Sequence, residues 1–390
     1  MQNIQPDTHD IRIYQKLGRV DTKSMESVDQ LLLILPAKPS RAVFSRLPQG
    51  ARMQAVYRKH DAGSTPAFTT RLANKKQTLV VAGTIAASST VFEQLTLGRK
   101  LVQAVTRQKA GSLGICAVGF ESAIQASLVS NILAAALAAG VKLPAYKTKA
   151  QPDVIKNIRL LGLDETVDTA RVHAEAKGTD LARWLTTLPP NFLDANNAPA
   201  LAKALATEHG SQYKRYGVKD LEKLGCGAFL AVAQGNDNDS ANIIRLRYRP
   251  GAKNTAADVC LVGKGIIFDT GGTNLKPFEY MLDMHGDMQG SAVALGTFLT
   301  ISAMQLPIAV DCWLAITENL TVPNAYKSHD VVTAANGKTI QTEHKDDEGR
   351  MALADALVLS SLEKPGIIFD YATLTGCCIR ALTSRYSGVF

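Results

Sequence analysis

No two cysteines in this 390-residue chain are spaced as CxxC, and no histidines as HExxH or HxH. The first absence argues against a zinc knot or a thioredoxin-like centre. The second argues against the histidine-rich arrangements common in hydrolytic metal sites. No run approaches the ~20 apolar residues that a membrane span requires. The longest early run, from Leu31 to Pro36, is far shorter. The first thirty residues mix Asp, Arg, Lys and Gln and hold no signal-peptide apolar segment. Internal repeats and low-complexity tracts are also missing. Together these absences predict a cytoplasmic protein with no membrane partner.

What is present describes an ordinary globular chain, 46% hydrophobic and 20% charged. A single core stops growing at roughly 250–300 residues, so two domains are expected. Six cysteines occur, at Cys116, Cys226, Cys260, Cys312, Cys377 and Cys378. Most lie in apolar, strand-like runs such as DVCLVG and VDCWLAI, as buried free thiols do. The net charge of +8 is unevenly spread: residues 1–150 hold 20 Lys and Arg against 8 Asp and Glu. A solvated basic surface is the favoured reading of that excess. The alternative is a nucleic-acid-binding regulator, since phosphate backbones attract such surfaces.

The order of elements argues for an α/β fold with two domains. Buried strands are predicted at Gln77 to Gly83 and Gly114 to Phe120, and helices at Val91 to Val105 and Ser122 to Ala139. This βαβα rhythm makes residues 1–165 a smaller N-terminal α/β domain. Residues near 146–180 are polar and show no long apolar run, which places a linker at 166–180. Residues 181–390 are read as a C-terminal α/β catalytic domain with a mixed central sheet. Its strands are expected at Asp258 to Val262, Ile308 to Ile316 and Gly366 to Tyr371. Its helices are expected at Gly290 to Met304 and Arg350 to Leu362.

The chemistry-bearing residues concentrate in three segments. The first is VGKGIIFDTGGTNLKP, read as a strand ending at Gly263 and followed by Lys264, Asp269, a Gly-Gly turn and Lys276. It is not a phosphate loop, because Asp258 and Gly265 stand where that pattern needs Gly and Ser or Thr. The second runs from Met284 to Met288 and includes His285 and Asp287. The third, Asp346-Asp347-Glu348-Gly349-Arg350, opens a helix. Asp269, Asp287, Asp346 and Glu348 thus fall at strand ends or helix starts, where ligands gather in open α/β sheets. Four converging carboxylates need counter-charge, and divalent cations supply it most simply. Oxygen-rich ligation suits Mg, Mn or a carboxylate-bound Zn. Taken singly, Asp287 or Asp346 at a helix start reads more simply as an N-cap, and Lys276 as a surface lysine.

Read together, the segments resemble the leucine aminopeptidase (cytosol aminopeptidase) family. Its first signature resembles VGKG followed by FDSGG and KP; its second is an Asp-Met pair with Gly and small residues, here DMQGSA. Its hallmark, Asn-Thr-Asp-Ala-Glu-Gly-Arg, reads HKDDEGR here. The TLTG run at 373–376 and the LPPN run at 188–191 also fit. The resemblance implies a metallo-aminopeptidase with two divalent ions, Mn or Zn. Lys264, Asp269, Asp287 and Glu348 would hold one ion, and Asp269, Asp346 and Glu348 the other. Lys276 would steady the tetrahedral intermediate, and Arg350 would anchor a bicarbonate-like anion. Met284 and Thr373 would line the pocket for the first side chain of a peptide substrate. Leucine or another apolar residue is the implied product, and a homo-hexamer the implied assembly.

The sequence departs from the family pattern at His344, Lys345 and Asp347, which replace Asn, Thr and Ala of the hallmark. None of the three is an implied side-chain ligand. Lys345 and Asp347 do place two additional charges beside the site. Family members also continue beyond the TLTG run with further helices and strands, so the catalytic domain is expected to be C-terminally incomplete. A catalytically silent homologue is the remaining alternative.

Overall fold

The structure, a computed structural model, describes residues 11–60, 68–106, 111–147, 155–236, 240–251, 256–343, 347–383 and 386–390. The chain divides into two units, one over Asp7–Ala176 and the other over Lys177–Phe390.

The N-terminal unit contains β1 (Arg12–Leu17), α1 (Thr22–Glu26), β2 (Gln30–Pro36), α2 (Arg41–Ser45), α3 (Gly50–Arg58), β3 (Phe68–Arg71) and β4 (Leu79–Ile85). It continues with α4 (Val91–Thr106), β5 (Ser112–Ala117), α5 (Ser122–Gly140) and β6 (Asn157–Leu163). The six strands lie in the order β1-β6-β5-β2-β4-β3. All neighbours are parallel except β3, which runs antiparallel to β4. Successive side chains of a strand face opposite sides of the sheet. Accordingly Leu32 and Ile34 of β2 pack with Leu101, Val102, Leu128 and Ile132 of α4 and α5. Leu31, Leu33 and Leu35 pack on the other face with Met25, Phe44 and Met53. Sequence signals are clear where helices start: Thr90 and Glu93 cap each other at the entry to α4, the Thr90 amide donating to Glu93 Oε2 at 2.8 Å. Helix α5 is long and apolar enough to pass for a membrane span, but Leu128, Val129, Ile132, Leu133 and Ala136 are buried in this core.

Helix α6 (Thr169–Thr187) crosses the division between the units, and most of the segment read as a linker lies within it. Strand β6 likewise forms in the stretch read as polar. Its Ile158, Leu160, Leu161 and Leu163 are buried, while Asn157 and Arg159 dilute the apolar signal.

The C-terminal unit holds α7 (Ala198–Glu208), β7 (Gln212–Gly217), α8 (Val218–Lys223), α9 (Gly227–Ala233), β8 (Asn242–Tyr248), β9 (Val259–Asp269) and α10 (Phe278–Met281). A 3-10 turn at Met284–Gly286 precedes α11 (Gln289–Ala303), β10 (Val310–Asn319), β11 (Val331–Thr333) and β12 (Thr339–Gln341). The last elements are α12 (Glu348–Leu362), β13 (Ile367–Tyr371) and α13 (Cys377–Leu382). Its main sheet is ordered β13-β9-β10-β8-β7 and is mixed. β9 runs parallel to β13 and β10, while β8 is antiparallel to β10 and β7. Leu261 and Ile267 face α11; Cys260, Val262 and Ile266 face α9 and α12. Both units are therefore α/β layers, as the sequence predicts.

One element departs from its expected length. Strand β9 does not end at Gly263 but runs eleven residues to Asp269. Glycines in a strand mark close backbone approach as readily as turns. A Cβ on Gly263 would lie 2.5 Å from Ser291 Cα, and one on Gly265 would lie 2.6 Å from Ser291 Oγ. The two glycines let α11 sit against the central strand, so Lys264 and Asp269 both belong to β9.

Candidate metal centre

The carboxyl end of β9 collects residues from three other elements. Lys264 points to the α12 side of the sheet, and Asp269 closes the strand. Asp287 lies just before α11, whose N-cap is Met288. Its carboxylate turns to Lys264 and Thr373, so it is not the helix cap that position alone suggests. Glu348 begins α12 and is buried.

Ligand atoms of Asp269, Asp287 and Glu348 lie within 4.8 Å of one another. Two lysines enter the cluster. Lys264, 1% exposed, donates to Asp287 Oδ1 at 2.8 Å, to Glu348 Oε1 at 3.0 Å and to the carbonyl of Thr373 at 2.9 Å. Lys276 Nζ lies 2.8 Å from Asp269 Oδ2. Thr373 Oγ1 donates to Asp287 Oδ1 at 2.7 Å, which ties the loop after β13 to the same carboxylate.

Burial dominates the electrostatics. It pushes the Glu348 carboxyl up to about 7, with Lys264 opposing the shift and Asp269 and Asp287 adding to it. It pushes Asp287 up to about 6, again against the pull of Lys264. For Lys264 burial works against the charged form, but the two carboxylates outweigh it and hold the ammonium above its ordinary value.

The donor set fits divalent cations. Three buried carboxylates face two ammonium groups, which leaves excess negative charge among the described residues. Glu348 Oε2 is buried without a hydrogen-bond partner. Asp287 Oδ2 makes an ion contact with Lys264 at 2.7 Å but no hydrogen bond. Leaving such oxygens unpaired is costly unless a cation completes them.

Of the residues expected from the sequence, Lys264, Asp287, Glu348 and Thr373 are linked by direct contacts, and Asp269, paired with Lys276, has a ligand atom within 4.8 Å of those of Asp287 and Glu348. Asp346, with His344 and Lys345, lies outside the described residues. Arg350 is exposed and pairs with Asp347. Met284 is half-buried in the 3-10 turn before Asp287. Asn319, at the end of β10, has no place in the sequence reading. Yet its side chain donates to Asp269 Oδ1 at 2.8 Å. Its only sequence signal is its position at the carboxyl end of an apolar strand. Of the six cysteines, Cys116, Cys226, Cys260 and Cys312 are buried, and burial pushes the first three thiols up to about 12.

Residues 180–390 match the family model for the catalytic domain of the cytosol aminopeptidase family. Among curated relatives, a probable cytosol aminopeptidase of Sulfurihydrogenibium is 39% identical over 245 residues, 63% of this chain and 48% of the relative. A cytosol aminopeptidase of Pseudomonas aeruginosa is 42% identical over 253 residues, 63% of this chain and 50% of that protein. The chain spans about half the length of these curated relatives. In fold it is similar to a mutant of tomato leucine aminopeptidase, with a TM-score of 0.83 at 22% identity over 97% of this chain and 77% of the other. It is also similar to a leucyl aminopeptidase of Leishmania major solved with actinonin, with a TM-score of 0.76 at 23% identity. That match covers 96% of this chain and 75% of the other.

Proposed function

Because the chain belongs to the cytosol aminopeptidase family, we propose that it is a metal-dependent aminopeptidase that hydrolyses the first peptide bond of its substrates. The observation that carries this reading is the buried meeting of Asp269, Asp287 and Glu348, the last two paired with Lys264, with Glu348 Oε2 unpartnered.

In this reading Lys264, Asp269, Asp287 and Glu348 hold one divalent ion, and Asp269, Asp346 and Glu348 hold a second, Mn or Zn. Once bound, such a pair supplies Lewis acidity, acidifying a water and polarising the scissile carbonyl. The remaining roles fall to the chain. An ammonium has no lone pair, so Lys264 would have to release a proton to solvent, and give up one of its three donated hydrogen bonds, to act as a ligand. Lys276, held beside Asp269, supplies fixed positive charge where the oxyanion develops. Asp287 offers a carboxylate to the free amine of the substrate, which restricts cleavage to the N-terminal residue. Thr373, anchored by Asp287 and Lys264, and Met284 line the pocket for that residue, with leucine or another apolar side chain preferred. Arg350 remains the group for a bicarbonate-like anion, in competition with Asp347.

Hydrolysis of leucine p-nitroanilide by the purified chain with added Mn tests the proposal. The expected result is turnover that Glu348→Ala or Asp346→Ala abolishes. A folded chain inactive with Mn, Zn, Co and Mg would sink it.

A further inference from the structure

We propose that Asn319 is the positioning residue for Asp269, selecting which carboxylate oxygen is offered to a metal ion. The inference rests on the reading of the cluster as a metal centre.

Asp269 has two oxygens with different surroundings. Oδ1 accepts from Asn319 Nδ2 at 2.8 Å and from the Gly271 amide at 2.8 Å. Oδ2 faces Lys276 Nζ at 2.8 Å, and a ligand atom of Asp269 lies within 4.8 Å of those of Asp287 and Glu348. Two N–H donors consume the accepting directions of Oδ1 in the plane of the carboxylate. Oδ2 is thereby left as the ligating oxygen, and the carboxylate cannot rotate without breaking both bonds.

Asn319 is suited to this task because it is itself fixed. It is 1% exposed. A register shift between Thr317 and Asn319 brings it opposite Asp269 on the neighbouring strand. Such bulges re-aim a side chain at sites of this kind. Its carbonyl accepts from the Thr270 amide and from Thr270 Oγ1, each at 2.9 Å. Thr321, two residues on, donates to the Gly272 carbonyl at 2.6 Å. The exit of β10 therefore grips the whole turn at 269–272, and the side-chain amide is the part aimed at the ligand. An amide donates without adding charge. A lysine or arginine here would compete with a cation for Asp269, and an aspartate would repel the carboxylate. Partners of this kind that orient ligating groups typically contribute ~10–100-fold to metal affinity.

The test measures Mn(II) affinity of the whole chain by chelator competition, together with melting of the metal-free protein and the kinetic constants. Asn319→Ala is expected to weaken Mn(II) binding ~10–100-fold. Melting of the metal-free protein should change little, and kcat should fall more than KM rises. Asn319→Leu keeps the volume without the donor and is expected to show the same loss. It serves if the alanine variant fails to fold. A folded donor-less variant with unaltered Mn(II) affinity overturns the inference alone. If the unaltered chain takes up no Mn(II), the metal reading falls and this inference falls with it.

Discussion

Gly349 stands so close to Lys264 that a Cβ built on it would lie 2.5 Å from Cε and 2.8 Å from Nζ of the lysine. The first turn of α12 thus presses on the one buried lysine of the cluster while delivering Glu348 to it. The atoms in the way are the end of a flexible side chain, so the backbone need not move. Gly349→Ala is therefore expected to fold, helped by the better helix propensity of alanine, worth up to about 1 kcal/mol. It should displace Lys264 from Asp287 and Glu348. Metal uptake and hydrolysis should drop by about tenfold or more. Calorimetry and metal analysis of the variant check this; full uptake with normal turnover would contradict a role for Lys264 in holding the metal.

Asp355 gives a stability prediction on the same helix. It is fully buried, and its Oδ2 accepts from the Phe229 amide at 2.8 Å while Oδ1 accepts from the Ala335 amide at 2.7 Å. One carboxylate thereby fastens α9 and the hairpin of β11 and β12 to α12. Asp355→Ala leaves two amide donors without their acceptor and should cost on the order of 2–4 kcal/mol. Asp355→Asn, which keeps one acceptor, should cost less. Urea denaturation of both variants measures the difference, and equal stability with the parent would contradict this role.

Asp180 in α6 gives a pH dependence. Burial raises its carboxyl from 3.8 to about 6, with Arg183 opposing the shift. Between about pH 4 and pH 6 the folded chain keeps a proton that the unfolded chain has lost. Stability from this group therefore falls as pH rises through that window and levels off above it. Asp180→Asn removes the loss, so its advantage in melting temperature should be larger at pH 8 than at pH 5. A difference that is constant over pH, or larger in acid, goes against the burial of this carboxyl.

Much of the site is legible in the sequence because its residues sit in short, ordered segments. The spacing from Lys264 through Asp269 to Lys276, the Asp287-Met288 pair and the run around Glu348 carry the family pattern, and the fold class follows from alternating apolar runs. What stayed hidden depends on neighbours far away in the chain. Gly263 reads as the end of a strand, yet Gly263 and Gly265 accommodate Ser291 of α11 and let β9 continue. Strand β6 opens on Asn157 and carries Arg159 and Gly162 among one isoleucine and three leucines, so no long apolar run announces it. Asn319 looks like any polar residue after a strand. Its task appears only when the register of β10 against β9 places it opposite Asp269.

In the proposed centre three buried carboxylates and Lys264 would be completed by divalent cations. Metal content of the purified chain after loading with Mn(II) or Zn(II) and removal of free ions tests it most directly. The expected result is two ions per chain, with Glu348→Gln reducing the retained metal and abolishing hydrolysis together. Retention of no metal by the unaltered chain, or unchanged retention in Glu348→Gln, would contradict it.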